Sequence, residues 1–465
     1  MEAQTTYPPV AAAPPQGSPQ PPSLEHLVIQ AELGQDEIVR TGVAGLHPAD
    51  TAELLNVLEE PEVKYKVFGF LAAPQAAEVL SLVSAHTKDG LVARLSDDGL
   101  GDLVEYLDSD DATDLLASLS ARRAQAVLEE VPQDVSDEVT QLLRYPEDTA
   151  GGIMQVEYMA VSQGTRIDQA TEMIRSRSDE IPDIHSVFIV SNTNHLVGVL
   201  PLRKFILARP SDLVETVMDQ QVISVRVDLD QEQVAQMFKK YDLISLPVVD
   251  GEGCLLGRIT VDDVVDVMEE EATEDIYKLA GLDEEEEVLD SPWQSIRLRL
   301  PWLALNLVTT TLSALVIAFF EGTIQQIAIA AAFMTIVAAQ GGNAGVQTLT
   351  VIVRGIALGE VPLTQTKRVL VKELTIALGN GLALGCAAGI VAYLWKGDAT
   401  LGVVLALALL ANLIIAAFVG SMVPLTLRRL GVDPAVASNV FVTACTDIFG
   451  FLSFLGILTL FLQFV

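Results

Sequence analysis

The chain has 465 residues, half of them hydrophobic and 19% charged, with a formal net charge of −34. That length suits two or three domains, and so acidic a surface excludes nucleic acid as a partner while drawing cations toward it. The three cysteines, Cys254, Cys386 and Cys445, are scattered without metal-ligand spacing, which excludes a disulfide framework.

The charge is divided unequally. Of 62 acids, 56 precede Arg297, and of 28 bases, 19 do, leaving about −37 before that point and about +3 after it. Self-repulsion destabilises the first part unless something neutralises it. Residues 1–23 carry "YPPVAAAPPQGSPQPPS", with neither the basic start nor the apolar core of a signal peptide, and are expected to be a disordered Pro-rich tail. Residues 24–148 hold short stretches such as "ADTAELLNVLEE" and "DGLGDLVEYLDSDDATDLLASL", with apolar residues three and four apart between Pro and Gly. This is the pattern of a stacked, all-α superhelix with acids on its outer faces. Glu78, Asp110, Asp111 and Asp114 are among those acids, and Asp110 and Asp114, four apart, belong to one helix face. A solvated acidic face is the default reading unless it opposes another acidic surface.

Residues 149–270 contain an internal repeat. "MQVEYMAVSQGTRIDQATEMI" aligns with "MDQQVISVRVDLDQEQVAQMF" at an offset of 64, and "FIVSNTNHLVGVLPLRKFI" with "PVVDGEGCLLGRITVDDVV" at 59. Each copy reads strand, amphipathic helix, strand, Gly-containing turn, strand, helix. Residues 271–300 continue from the second copy as an acidic connecting helix and linker. In it and the helix before it, Asp263, Asp266, Glu270, Glu274 and Asp275 form an acidic stripe. Like charges at such spacings destabilise a helix, and a divalent cation relieves them. Mg²⁺, which takes oxygen ligands and keeps several waters, suits one or two carboxylates of such a stripe.

Residues 301–465 hold five apolar segments, near 302–320, 326–353, 374–395, 401–427 and 435–464, each at or above the roughly 20 residues that span a bilayer. Arg297 and Arg299 precede the first, Arg354, Lys367, Arg368 and Lys372 separate the second and third, and Arg428 and Arg429 the fourth and fifth. The positive-inside rule then places the acidic N-terminal domains in the cytoplasm and the C-terminus outside. The glycines of "GNGLALGCAAG" read as close helix packing. In the tract Gln340–Thr348, adjacent glycines with Asn343 and Gln347 are expected to interrupt the second helix and to offer polar groups at membrane depth. Asp447 is the sole acid deep inside a span, about a dozen residues into the last one. An intramembrane aspartyl protease needs a second membrane acid, and none is present. Intramembrane acids mostly line ion or proton paths, which favours a cation site over a packed carboxyl.

The repeat resembles a pair of CBS domains, the second copy carrying "PVVDGEGCLLGRITVDD". CBS pairs often bind adenine nucleotides, and the resemblance implies ATP in the second repeat, at Thr260 and Asp263; the first has Pro201 and Lys204 in those places. The chain as a whole is similar to the MgtE family of magnesium channels and transporters, through "VEYMAVS", "TVDDVVDVMEEEATEDIYKLAG", "GGNAGVQTLTVIVRGIA" and "RRLGVDPAVASNVFVTACTD". The resemblance implies a non-enzymatic, multi-pass plasma-membrane homodimer embedded in lipid, with Mg²⁺ as both substrate and regulator. It implies pore residues Gly342, Asn343, Asn439 and Asp447. It implies regulatory Mg²⁺ ligands Glu78, Asp110, Asp114, Asp242, Asp263, Asp266, Glu271, Glu274, Asp275 and Asp433, through which plentiful Mg²⁺ holds the gate shut. Family members often have Pro after the position of Asn439, where this chain has Val440. Two other readings stay open: a membrane-anchored, nucleotide-sensing CBS signalling module that carries no flux, and a proton-coupled divalent cation antiporter.

Overall fold

The computed structural model describes residues 23–463 apart from 179–180, 182–183, 284–285, 287, 289–290, 362–364 and 437–438. The Pro-rich segment 1–22 lies outside the described residues. The chain divides into two compact units, one running to Leu229 and including Pro247–Ile259, the other made of Asp230–Leu246 and Thr260 onward.

The first unit begins with ten helices of eight to ten residues, from α1 (Leu24–Glu32) to α10 (Gln133–Leu142). Helices this short are marginal alone in water and depend on tertiary packing. Here Leu27, Leu55, Leu80, Leu100, Leu116 and Val127, spread over six of them, all lie in one core at 1% exposure or less. Ser23 and Ser96 cap their helices by accepting from the backbone N–H of His26 and Gly99.

The repeat follows. Its first copy is β1 (Ala160–Ser162), α11 (Ile167–Ser176), β2 (Ser186–Val190), β3 (Leu196–Pro201) and α12 (Leu202–Leu207). β1 and β2 are parallel, with Ala160 opposite Phe188, and β2 and β3 antiparallel. After α13 (Val214–Val217), the second copy supplies β4 (Val225–Arg226), β5 (Ser245–Val249) and β6 (Leu255–Thr260), in that order across a second three-stranded sheet. The copies are tied through their turns, where Asn194 Nδ2 donates to the Leu255 carbonyl at 2.9 Å and the Leu196 N–H to the Gly253 carbonyl at 3.0 Å. Gly253 makes its turn at φ +88°, a conformation that glycine adopts without steric cost.

The second unit contains α14 (Gln231–Tyr241), α15 (Val261–Ala280) and the apolar helices α16 (Pro292–Phe319), α18 (Ala330–Ala357), α19 (Thr366–Lys396), α20 (Ala399–Arg429) and α21 (Asn439–Gln463), with the short α17 (Glu321–Gln326) after α16. These five are long and apolar enough to cross a membrane. α15 runs unbroken through residue 270, where sequence alone divides repeat from connecting helix. It stops at Gly281, whose φ of +71° lets the Leu282 N–H turn back to the Tyr277 carbonyl at 2.9 Å.

α18 is likewise continuous through Gln340–Thr348, contrary to the interruption expected there. Its buried glycines serve packing: a Cβ on Gly345 would meet Val442 at 2.6 Å, and one on Gly420 of α20 would meet the Gly345 carbonyl at 2.7 Å. Close approach compensates for the poor helix propensity of glycine, and in lipid an unbroken helix satisfies its own backbone. α19 meets α20 in the same way. Gly381, Gly385 and Gly389, four apart, face Leu410, Ala406 and Gly402 so closely that a Cβ on any of them would approach within 2.6–2.8 Å.

Candidate functional site

A cavity of about 880 Å³ opens among the apolar helices, with α18 and α21 supplying its polar wall. Asn439, Thr443 and Asp447 line it from α21, spaced four apart and therefore stacked on one face. Asn343 and Gln347 of α18, also four apart, line it too, and beside them Gly342 presents backbone without a side chain. Thr443 Oγ1 donates to Asn439 Oδ1 at 2.6 Å, joining the first two rungs of the α21 row. Asp447 is half-buried, and neither α18 nor α21 holds another acid. The wall thus carries one carboxylate among neutral amides and the hydroxyls of Thr335 and Thr443, a set of oxygens suited to a hydrated cation and not to stripping its waters.

All four residues assigned to this passage from sequence therefore line one cavity. Thr443 and Gln347 line it as well without having been assigned; their four-residue spacing from Asp447 and Asn343 was the available signal.

A second cluster lies outside the membrane-spanning segments. Glu232 of α14, Glu271 and Asp275 of α15, and Asp433 before α21 are near enough for their charges to act on one another. Gln231 Nε2 donates to Glu271 Oε1 at 2.8 Å, and Lys278 Nζ to Asp433 Oδ2 at 3.1 Å while also pairing with Glu274. Asp433 Oδ1 accepts from the Ala435 N–H at 2.8 Å. Burial first, then the charges of Glu271, Asp230 and Asp275, push the Glu232 carboxyl up to about 7. Burial, then Asp433 and Glu271, push Asp275 up to about 6. Glu271 is raised as well, chiefly by burial. Burial leads in each case, and the facing acids add to it. Among the described residues no three His, Cys, Asp or Glu side chains form a metal-holding group. Glu271, Glu274, Asp275 and Asp433 were assigned from sequence; Glu232 was not, since only tertiary packing brings it to α15.

Asp242 is exposed at the C-terminus of α14, in a left-handed conformation with φ +51°. Asp263 caps α15: Thr260 Oγ1 and its backbone N–H donate to Asp263 Oδ2 at 2.5 and 3.2 Å. Thr260 is itself buried, so this pair has a structural duty at the position assigned to nucleotide. Asp266 is exposed on α15. In the first unit Glu78 and Asp114 are exposed, whereas Asp110, on the same helix as Asp114, is 8% exposed.

Five spanning helices make the chain a multi-pass membrane protein, and comparison with known proteins identifies its class. The family model described as a divalent cation transporter, MgtE, matches residues 334–457; the MgtE intracellular N domain matches 46–148, and the CBS domain 214–270. The Magnesium transporter MgtE of Thermus thermophilus is 35% identical over 445 residues, which cover 93% of this chain and 97% of that protein. The Bacillus subtilis protein of the same description is 29% identical over 437 residues, 94% of this chain and 97% of its own length. A solved structure of the cytosolic domain of the Mg²⁺ channel MgtE in complex with ATP is 34% identical, with a TM-score of 0.50, covering 53% of this chain and all of that one. The chain belongs to the MgtE family, whose members are transporters and not enzymes.

Proposed function

We propose that this protein carries Mg²⁺ into the cell through the cavity between α18 and α21, and that Mg²⁺ on the cytoplasmic side closes the path. The observation that carries the reading is Asp447: a lone carboxylate in a spanning helix, turned to a polar cavity shared with Asn343, Asn439 and Thr443. A charge kept half-buried in a spanning helix, against its desolvation cost, points to a cationic partner. The space suits a hydrated ion, because six waters at roughly 30 Å³ each occupy roughly 180 Å³, well below the cavity's 880 Å³. Relatives named as magnesium transporters make Mg²⁺ the ion of choice. Asp447 and Asn343 would hold it through its waters, with Gly342 and Asn439 completing the wall. Inward movement down a membrane potential gains roughly 4.6 kcal/mol per 100 mV for two charges.

For closure, Mg²⁺ would bind Glu271, Asp275 and Asp433, with Glu232 and Glu274 beside them, offsetting the like charge gathered there. An ion shifts the gate only if it prefers the closed arrangement, and a cluster that loses its shape on opening meets that condition. Asp242, Asp263 and Asp266 on the second repeat, and Glu78, Asp110 and Asp114 of the helical domain, are further candidate ligands. The cytoplasmic placement of these domains, an external C-terminus and a homodimeric assembly belong to the same proposal. So does ATP in the second repeat, supported by the ATP complex of the relative. In a bacterium lacking its own Mg²⁺ uptake, the protein should restore growth at low Mg²⁺ and Asp447→Ala should not; equal growth with both would remove Asp447 from the path.

A further inference from the structure

Behind the cavity wall, Asn412 sits midway along α20 with no exposed surface. Its Nδ2 donates to the Val337 carbonyl of α18 at 2.9 Å, while its Oδ1 finds no hydrogen-bond partner among the described residues. The amide occupies a notch between two glycines. A Cβ on Gly341 of α18 would overlap the amide nitrogen, and one on Gly450 of α21 would come within 2.7 Å of it and 3.1 Å of the oxygen. Gly341 directly precedes Gly342 and Asn343, and Gly450 follows Asp447 by three residues, nearly one turn. One side chain therefore touches both pathway helices at the level of their functional residues. An apolar residue would fill the same notch without burying an incompletely bonded amide, so packing alone does not account for asparagine here.

We propose that Asn412 is a positioning residue for the cation path: wedged between Gly341 and Gly450 and bonded to the Val337 carbonyl, it sets α18 against α21 and thereby places Asn343 relative to Asp447. The inference rests on the reading of Asp447 as the cation site. Asn412 does not line the cavity and does not meet the ion; it acts through the two helices that do.

The test uses the full-length protein in liposomes, with Mg²⁺ and Ca²⁺ as the ions and flux normalised to protein that remains monodisperse. Asn412→Ala should raise the Mg²⁺ concentration for half-maximal flux by roughly 10-fold or more, the range typical of removing an outer-shell partner from a metal site. It should also lower the ratio of Mg²⁺ to Ca²⁺ flux. Gly341→Ala should do the same by displacing the amide. Combining Asn412→Ala with Gly341→Ala should recover much of the loss seen with Gly341→Ala alone, because the vacated notch accepts the new methyl. Should Asn412→Ala not survive purification, Gly450→Ala presses the same amide from the other helix and is read identically. Reduced yield with an unchanged half-saturation and ion ratio would overturn the proposal. Asp447→Ala separates the two layers: its loss of flux beside a normal Asn412→Ala defeats the positioning role alone, whereas its full flux defeats the cation site beneath it.

Discussion

Among single residues, Asp447 was legible because one acid in an otherwise apolar span stands out against any structural background. Asn412 was not. In "LALLANLIIAAF" it is a neutral residue whose meaning depends on two glycines that lie 71 positions before it and 38 after it. Glu232 was hidden for a related reason, since "DQEQVAQMF" reads as an ordinary solvated helix face until α14 is packed on α15. Its consequence is a pH dependence. Glu232 stands near 7 against an ordinary 4.5, and Asp275 near 6 against 3.8, through burial and the facing acids Asp230, Glu271 and Asp433, with Lys278 the basic group beside them. A carboxyl raised in this way holds its proton more tightly in the packed state. Metal-free packing of α14 on α15 therefore gains stability as pH falls from about 7 toward 4.5 and loses it as pH rises through 7. Mg²⁺ must displace those protons. The Mg²⁺ concentration that half-protects α15 from protease should fall several-fold between pH 6 and pH 8, and Glu232→Gln should remove most of that difference. A flat profile in the unsubstituted protein would show that these carboxylates do not take the ion.

Helices were legible as lengths and polarities, less so as boundaries. The five spans followed from hydropathy, and the repeat from two pairs of segments that align at offsets of 64 and 59. α15 crosses residue 270 without a break because nothing in "VMEEEATEDIYKLAG" stops a helix before the final glycine. α18 survives its paired glycines because Gly341 and Gly345 receive Asn412, Val442 and α20, contacts that no local pattern reveals. Two expectations belong to elements. Gly385→Val should push α19 off the Ala406 carbonyl, which a Cβ would reach at 2.8 Å, and reduce the yield of monodisperse protein without altering the Mg²⁺ to Ca²⁺ flux ratio of what survives. A changed ratio would mean that the α19–α20 seam shapes the path. For α15, Mg²⁺ should slow proteolysis between Glu271 and Ser291, and Asp275→Asn combined with Asp433→Asn should weaken that protection. Equal cleavage with and without the ion would contradict the regulatory cluster.

On the scale of the whole molecule, charge and polarity are segregated in a way composition alone announces: a strongly acidic part before Arg297 and a slightly basic, apolar part after it. The first unit's helices hold together through one shared apolar core, so Leu100→Ala, at a fully buried position, should cost about 2–5 kcal/mol of that unit's stability, measured by thermal unfolding. In the second unit, α14, α15 and the spanning helices form one compact body, so the acidic cluster and the membrane cavity belong to the same unit. That shared unit is what the proposed regulation requires: an ion at the cluster would act on the cavity within one body.

The claim beneath all of this is that a doubly charged, hydrated metal passes the carboxylate of Asp447. It is tested most directly by Mg²⁺ entry into liposomes under an imposed inside-negative potential, followed with an enclosed Mg²⁺-sensitive dye at equal reconstituted protein. The unsubstituted protein should give potential-dependent entry that falls to the level of empty liposomes with Asp447→Ala. Undiminished entry through the Asp447→Ala protein would contradict it.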